Sequence, residues 1–351
     1  MKEIVAKRIK SARGLAGLSL RELSEKLDGL VSYNAISKYE KAEMMPDSKV
    51  LLQLAKVLNV KLDYFFRPFT ISIENIEFRK KSKLGVKKVN SIKEEVTDKI
   101  TRYIEVEQFL NLASNFNNPI KNILIADGNA IENAVNQLIY EWNIGINALP
   151  NVIELLEDKE IKVIEIDADE DFDGFSGWAT GNIPVIVINS KFPVERKRFT
   201  ALHELGHLLL SFNSNLVEKE IERLCHRFAG AMLMPEETFL LELGAQRNKI
   251  SLSELIAIKE TYGISIQAIM ARAKDLGIIS EERYINFRRW VNEDPNRKKE
   301  IDLGKFQGRE SSTRFKQLLY RATAEDLVSL NKAASLANMK LADFRKEFVL
   351  L

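Results

Sequence analysis

The stretch Phe199-Thr200-Ala201-Leu202-His203-Glu204-Leu205-Gly206-His207-Leu208-Leu209-Leu210 decides how this chain is read. It contains the H-E-x-x-H pattern at His203, Glu204 and His207. On a helix, residues four apart share one face, so the two imidazoles can close on one small cation. Zinc suits such a set, because it takes neutral His nitrogen and carboxylate oxygen in a tetrahedral shell and keeps one position open for water. Glu204 sits beside the first His and can take a proton from that water without ligating the metal. Phe199, Leu202, Leu205, Leu208 and Leu209 give the stretch the apolar content of a buried helix, where an unpaired carboxylate is costly unless it works. The chain has only 3 His, and two of them lie here.

Working outward, residues 217–232 read VEKEIERLCHRFAGAM. Ile221, Leu224, Cys225, Phe228 and Met232 recur at helical spacing and form the buried face. Glu218, Glu222 and His226 make the adjacent stripe. From the residues alone, Glu222 and His226 both stay open as third ligand, and Cys225 reads as a core cysteine.

His203-Glu204-Leu205-Gly206-His207, then Glu222-Arg223-Leu224-Cys225, Phe228-Ala229 and Leu233-Met234-Pro235, resemble the ImmA/IrrE family of zinc metallopeptidases. Gly174-Phe175-Ser176-Gly177 and Ile186-Val187-Ile188-Asn189 resemble that family's lead-in, and the similarity covers roughly 120–280. The resemblance implies one zinc per chain held by His203, His207 and Glu222, with Glu204 as the base. The chain carries His226 where the family more often has Asn.

Toward the N-terminus, Ser19 and Glu22 fit a capping box ahead of Leu20, Leu23 and Leu27. Asp28-Gly29 breaks that helix, Ser32 caps the next, and Pro46-Asp47 opens a third. A helix pair joined by a short Gly turn is a helix-turn-helix, whose second helix can enter the major groove. LSLRELSEKL, AISKYEKA, Pro46 and LLQLAKVLNVKLDYFF resemble the Xre-type DNA-binding domain. The turn, Asp28–Ser32, is longer than that family's usual one. Tyr33, Asn34, Ser37 and Lys38 form the polar face of the second helix, where Asn can meet adenine and Ser or Lys a base or phosphate. Lys7, Arg8, Lys10, Arg13 and Arg21 add a basic footing for phosphate.

Residues 70–88 read as a charged connector, and a long helix from about Val89 to Leu112 follows. Its Val89, Ile92, Val96, Ile100 and Tyr103 are spaced as an interhelical seam, which fits a homodimer or packing on the rest of the chain. From Asn117 onward, helices are expected over 128–142 and 151–158. IKVIEID and PVIVIN read as strands, and FDGFSGWATG between them as turn chemistry. The strand before the H-E-x-x-H helix offers an edge for an extended substrate peptide. Helices follow at PEETFLLEL, SLSELIAIKETYG and SIQAIMARAKDLG. RRWVNEDPNRKKEIDLGKF reads as loop, and the tail from Thr323 as one or two amphipathic helices.

These readings give a multidomain, mainly α protein. Residues 1–69 form an all-α helix-turn-helix domain and 70–117 a linker with a long helix. Residues 118–280 form an α+β zincin-like peptidase domain with a small sheet, and 281–351 a helical region of open role. Lys+Arg 52 against Asp+Glu 50 makes the net charge +2, so overall charge selects no partner. No apolar run approaches the ~18–20 residues of a membrane span. The start lacks a signal-peptide core, and one Cys excludes an intrachain disulfide, which together suggest a cytoplasmic protein. The combined expectation is a DNA-binding, zinc-dependent metalloendopeptidase that regulates transcription or a stress response by cutting an Xre-type repressor or itself. Double-stranded operator DNA and a protein substrate would be its partners. The alternative is a non-catalytic regulator or antitoxin that keeps a structural or sensory metal site; the intact Glu204 argues for the enzyme.

Overall fold

The computed structural model describes residues 1–67, 73–74, 85–112, 115–179 and 182–349. Most of the connector read at 70–88, and Thr180-Gly181 of the expected turn, lie outside the described residues. The architecture is mainly helical with two small sheets. Among the described residues, no helix is long and apolar enough to cross a membrane.

The first helices are α1 (Lys2–Leu15), α2 (Leu20–Lys26), α3 (Tyr33–Glu40) and α4 (Ser48–Val57), followed by a 3₁₀ turn at Leu62–Phe66. The local signals act as read. Ser19 Oγ accepts the Glu22 N–H, and the Glu22 carboxylate accepts the Ser19 N–H at 2.6 Å. Ser32 and Asp47 cap α3 and α4 by accepting the N–H of Ala35 and of Val50. Each such cap contributes about 1 kcal/mol. Asp28 (φ 51°) and Gly29 (φ 74°) stop α2 in left-handed backbone. Val5, Ile9, Leu23, Ile36, Leu54 and Phe65 close the core of this unit.

A two-residue strand, β1 (Ile73–Glu74), precedes the long helix α5 (Val86–Phe109). The apolar seam of α5 is covered within the chain. Ile92, Val96 and Ile100 pack on Ile164, Phe175 and Val187, and Tyr103 and Val106 on Leu319 and Phe344. At its N-terminal end, Ser91 Oγ donates to Leu15 O at 2.8 Å. One helix thus touches all three regions.

The middle of the chain runs β2 (Leu124–Ile125), α6 (Gly128–Trp142), α7 (Val152–Asp158), β3 (Lys162–Ile166), β4 (Gly174–Ala179), β5 (Ile183–Asn189) and α8 (Val194–Leu209). It continues with β6 (Ser211–Phe212), α9 (Glu218–Leu233), α10 (Glu236–Leu243), α11 (Leu252–Tyr262) and α12 (Ile266–Asp275). The main sheet has the order β1-β4-β5-β3, with β3 parallel and β4 antiparallel to β5; β2 and β6 pair in parallel.

Two expectations change here. FDGFSGWATG is not a turn throughout, because Gly174–Ala179 is strand β4, Ser176 opposite Ile186. Gly174 serves packing: a Cβ there would lie 2.5 Å from the Val187 carbonyl oxygen. The strand before α8 is not an edge either. β5 is buried along its length and paired on both sides.

The C-terminal region is α13 (Glu281–Asn292), α14 (Pro295–Lys298), α15 (Arg314–Ala324), α16 (Leu330–Leu336) and α17 (Leu341–Glu347). RRWVN, expected as loop, is the last part of α13, whose start Ser280 caps. The last helices also reach the N-terminal unit. Lys61 Nζ donates to Ala334 O at 2.8 Å and to Met339 O, and Ser335 Oγ donates to Asp63 at 2.6 Å.

Candidate metal centre and nucleic-acid interface

Helices α8 and α9 cross closely because residue 206 lacks a side chain. A Cβ there would sit 3.2 Å from the Phe228 ring and 3.4 Å from Cys225 Sγ. That approach brings Glu222, on the facing side of α9, to the two imidazoles of α8. The Nε2 atoms of His203 and His207 are 3.0 Å apart. Glu222 places Oε2 3.4 Å from His203 Nε2 and Oε1 3.8 Å from His207 Nε2. The three donor atoms lie within 4.8 Å of one another. Ligands on a tetrahedral zinc with bonds of about 2.0–2.1 Å stand roughly 3.3 Å apart, so the donor set and its spacing fit one such ion.

His207 turns its other ring nitrogen, Nδ1, to Cys225 Sγ at 3.0 Å. An imidazole that offers the Nε2 lone pair carries its proton on Nδ1, and the sulfur is placed to accept it. Cys225, read as a core cysteine, is fully buried and also orients a ring. His226 is exposed. Its Nδ1 donates to the Glu222 carbonyl at 2.6 Å, and its ring lies 4.3 Å from that of His203. The group of donors within 4.8 Å includes Glu222 and not His226.

Glu204 is 7% exposed and accepts a hydrogen bond from Ser176 Oγ at 2.8 Å. Ser176 was not singled out from sequence as a partner of Glu204. Its signal was the alternation hidden in Gly174-Phe175-Ser176-Gly177, which puts Phe175 and Ser176 on opposite faces of β4.

In the N-terminal unit, Tyr33, Asn34, Lys38 and Arg21 are exposed and Ser37 is half-buried. The Arg21 guanidinium lies 5.6 Å from the Tyr33 ring centre. The basic footing shrinks to Lys7, Lys10 and Arg21. Arg8 is 1% exposed, its Nε donating to Arg67 O at 2.9 Å. Arg13 is held bidentately by Glu40 at 2.6 and 2.8 Å, and its pKa is raised by that bond. Both arginines hold the fold rather than face a ligand.

Comparison with known proteins places family matches on both units. Residues 9–65 match the helix-turn-helix family, and residues 156–274 match the family described as the IrrE N-terminal-like domain, a peptidase family. The chain is 38% identical to the radiation response metalloprotease IrrE of Deinococcus radiodurans, over 17% of this chain and 23% of that protein. It is 40% identical to the IrrE of Deinococcus deserti, over 15% and 23%. It is 37% identical to the HTH-type transcriptional regulator ImmR of Bacillus subtilis, over 20% of this chain and 54% of that protein. The matches therefore span between about a quarter and about half the length of these curated relatives.

Proposed function

We propose that this chain, in which an Xre-type helix-turn-helix domain is fused to an IrrE/ImmA-like peptidase domain, is a DNA-binding metalloendopeptidase that controls transcription by cutting a protein regulator. The observation that carries the reading is the convergence of His203, His207 and Glu222 beside a buried Glu204. A bound zinc ion would polarise the scissile carbonyl and acidify water. Glu204 takes the proton of the attacking water as its oxygen bonds to the carbonyl carbon. It then delivers the proton to the amide nitrogen as the C–N bond breaks. Ser176 holds one carboxylate oxygen of Glu204 in place for both transfers. Cys225 fixes the ring plane of His207.

The substrate backbone has a docking line on β4. Only Trp178 and Ala179 pair with β1, so among the described residues the outer edge of 174–177 has no strand partner. An extended peptide adding there lies beside Ser176 and Glu204.

On the DNA side, the exposed face of α3 with Asn34 and Lys38, flanked by Arg21, Lys7 and Lys10, suits readout of an operator with phosphate contacts around it. An operator target places the protein in the cytoplasm. An Xre-type repressor is the substrate class the domain pairing suggests. The test is incubation of the zinc-loaded chain with an Xre-type repressor, read by intact mass. Cleavage by wild type and none by Glu204→Gln is the expected result. A cut of equal rate by both proteins removes Glu204, and no cut of any such repressor removes the peptidase reading.

A further inference from the structure

A cleft of about 1120 Å³ opens beside the metal-ligand cluster and shares Glu222 with it. One stripe of α9 forms a wall: Lys219, Glu222, Arg223, His226 and Arg227 follow at helical spacing. The opposite wall comes from α12 to α14, including Tyr284, Arg288, Lys298 and Lys299. The 281–300 segment, whose role the sequence left open, thus contributes to that wall.

The lining is strongly cationic. Eleven Lys and Arg side chains face the cleft against five carboxylates. Several of these cations are engaged: Arg272 and Arg227 on Glu132, Lys259 on Glu300, Arg196 on Asp173. Lys219, Arg223, Arg288 and Lys298 are exposed, and among the described residues none has an ion-pair partner. They stand two on each wall, so the field between them is positive, the cations of the lining outnumbering its carboxylates. Apolar positions alternate with the charges: Phe192, Pro193, Phe199, Ala268 and Ala271.

We infer that this cleft binds an acidic segment of the polypeptide substrate, next to the bond that the adjacent centre cuts. Carboxylates set among apolar contacts match an acidic peptide, which carries both. A nucleic-acid backbone brings charge without the apolar side chains that would fill the positions between the cations. Glu222 faces both the metal-ligand cluster and the cleft, so an occupant of the cleft lies within a few residues of the scissile position. The proposal rests on the peptidase reading for its position but not for its charge.

The test is therefore binding by a chain that cannot turn over. Fluorescein-labelled octaglutamate and octaglutamine are titrated into full-length Glu204→Gln protein at low salt, read by anisotropy. Octaglutamate is expected to bind at least about tenfold more tightly. Lys219→Glu with Arg223→Glu should remove that preference, and so should Arg288→Glu with Lys298→Glu from the other wall. Lys10→Glu with Arg21→Glu, in the helix-turn-helix unit, should leave it intact. Equal affinity for the two peptides overturns the proposal, as does a preference lost only in the Lys10/Arg21 variant. An octathymidylate that binds through the cleft more tightly than octaglutamate, and loses that affinity in the Lys219/Arg223 variant, overturns it in favour of nucleic acid. None of these outcomes depends on whether cleavage is seen with the wild type.

Discussion

Helix α8 carries Glu195 and Arg198 in its first turns and His203, Glu204 and His207 in its later ones, and charge is buried along both halves. In the first half every charge is neutralised by protein. Arg198 is fully buried and donates to Glu310 at 2.7 Å, to Leu149 O at 2.7 Å and to Tyr262 O at 3.3 Å. Glu310 in turn accepts the Ile153 N–H at 2.7 Å, tying the segment before α15 to the start of α7. Gly263, at φ +62°, fits against this guanidinium because a Cβ would lie 2.6 Å from Nε. In the second half, two imidazoles and the Glu222 carboxylate converge on each other, with their donor atoms within 4.8 Å and turned inward. A protein-internal ion pair is satisfied by its partner; a convergent donor set is satisfied by an ion from outside. On the proposed reading, one helix thus carries both scaffold and chemistry.

That contrast breaks if the wrong half responds to substitution. The largest effect is expected at Glu204. Glu204→Gln should cut cleavage about 10²–10⁴-fold, because an amide cannot take the proton, while stability and metal content stay near wild type. Ordinary activity in a verified assay would leave the second half as scaffold too. Next, Arg198→Met strands Glu310 and should cost roughly 3–5 kcal/mol, read as a lower urea midpoint. Its metal content should not change at temperatures where it is folded. A small loss would mean that Glu310 finds water or moves out.

A further buried carboxylate sharpens the comparison because, among the described residues, no cation bonds to it directly. Glu157 is 5% exposed, bonded to the Ser312 hydroxyl, and burial pushes its pKa up to about 7. Between its ordinary 4.5 and about 7, the folded state binds the proton more tightly than the unfolded chain. Stability therefore falls as pH rises through that window, and the full loss, roughly 3 kcal/mol at most, is present above it. Glu157→Gln should stabilise the protein at about pH 8 and do nothing at about pH 4. Glu132 shows the other outcome. Burial alone would raise it, but Arg272 and Arg227 overcome that and hold it below the usual range. An equal effect of Glu157→Gln at both pH values would show that folding does not shift the Glu157 carboxyl.

The smallest effects are expected on DNA. Asn34→Ala should relax sequence preference by about 1–3 kcal/mol at one base position if Asn34 reads a base edge. Lys38→Ala should weaken all sequences alike and reduce the salt slope by about one ion. Gel shifts at several salt concentrations separate the two; the same loss for both variants on random and operator DNA would leave α3 without a reading residue.

What the sequence disclosed follows from how far each interaction reaches. Helix caps are local, so Ser19, Ser32 and Asp47 could be read within four residues. His203 and His207 share a turn and were legible for the same reason. Glu222 needed the crossing of α8 and α9, which Gly206 permits, and the residues alone left it level with His226. Strand β4 was misread because Gly174 and Gly177 resemble turn chemistry, while Gly174 is there for a close approach to β5. Arg8 was read as a phosphate-facing charge, and Arg198 was not singled out. Their partners lie 59 and 112 residues away, out of reach of any local pattern.

The most direct measurement is elemental analysis of three purified full-length proteins. Wild type and Glu204→Gln should each hold about one zinc or similar divalent ion per chain, and His203→Ala with His207→Ala close to none. Full metal content in that double variant would contradict the account, because the ion would then sit away from the convergent half of α8.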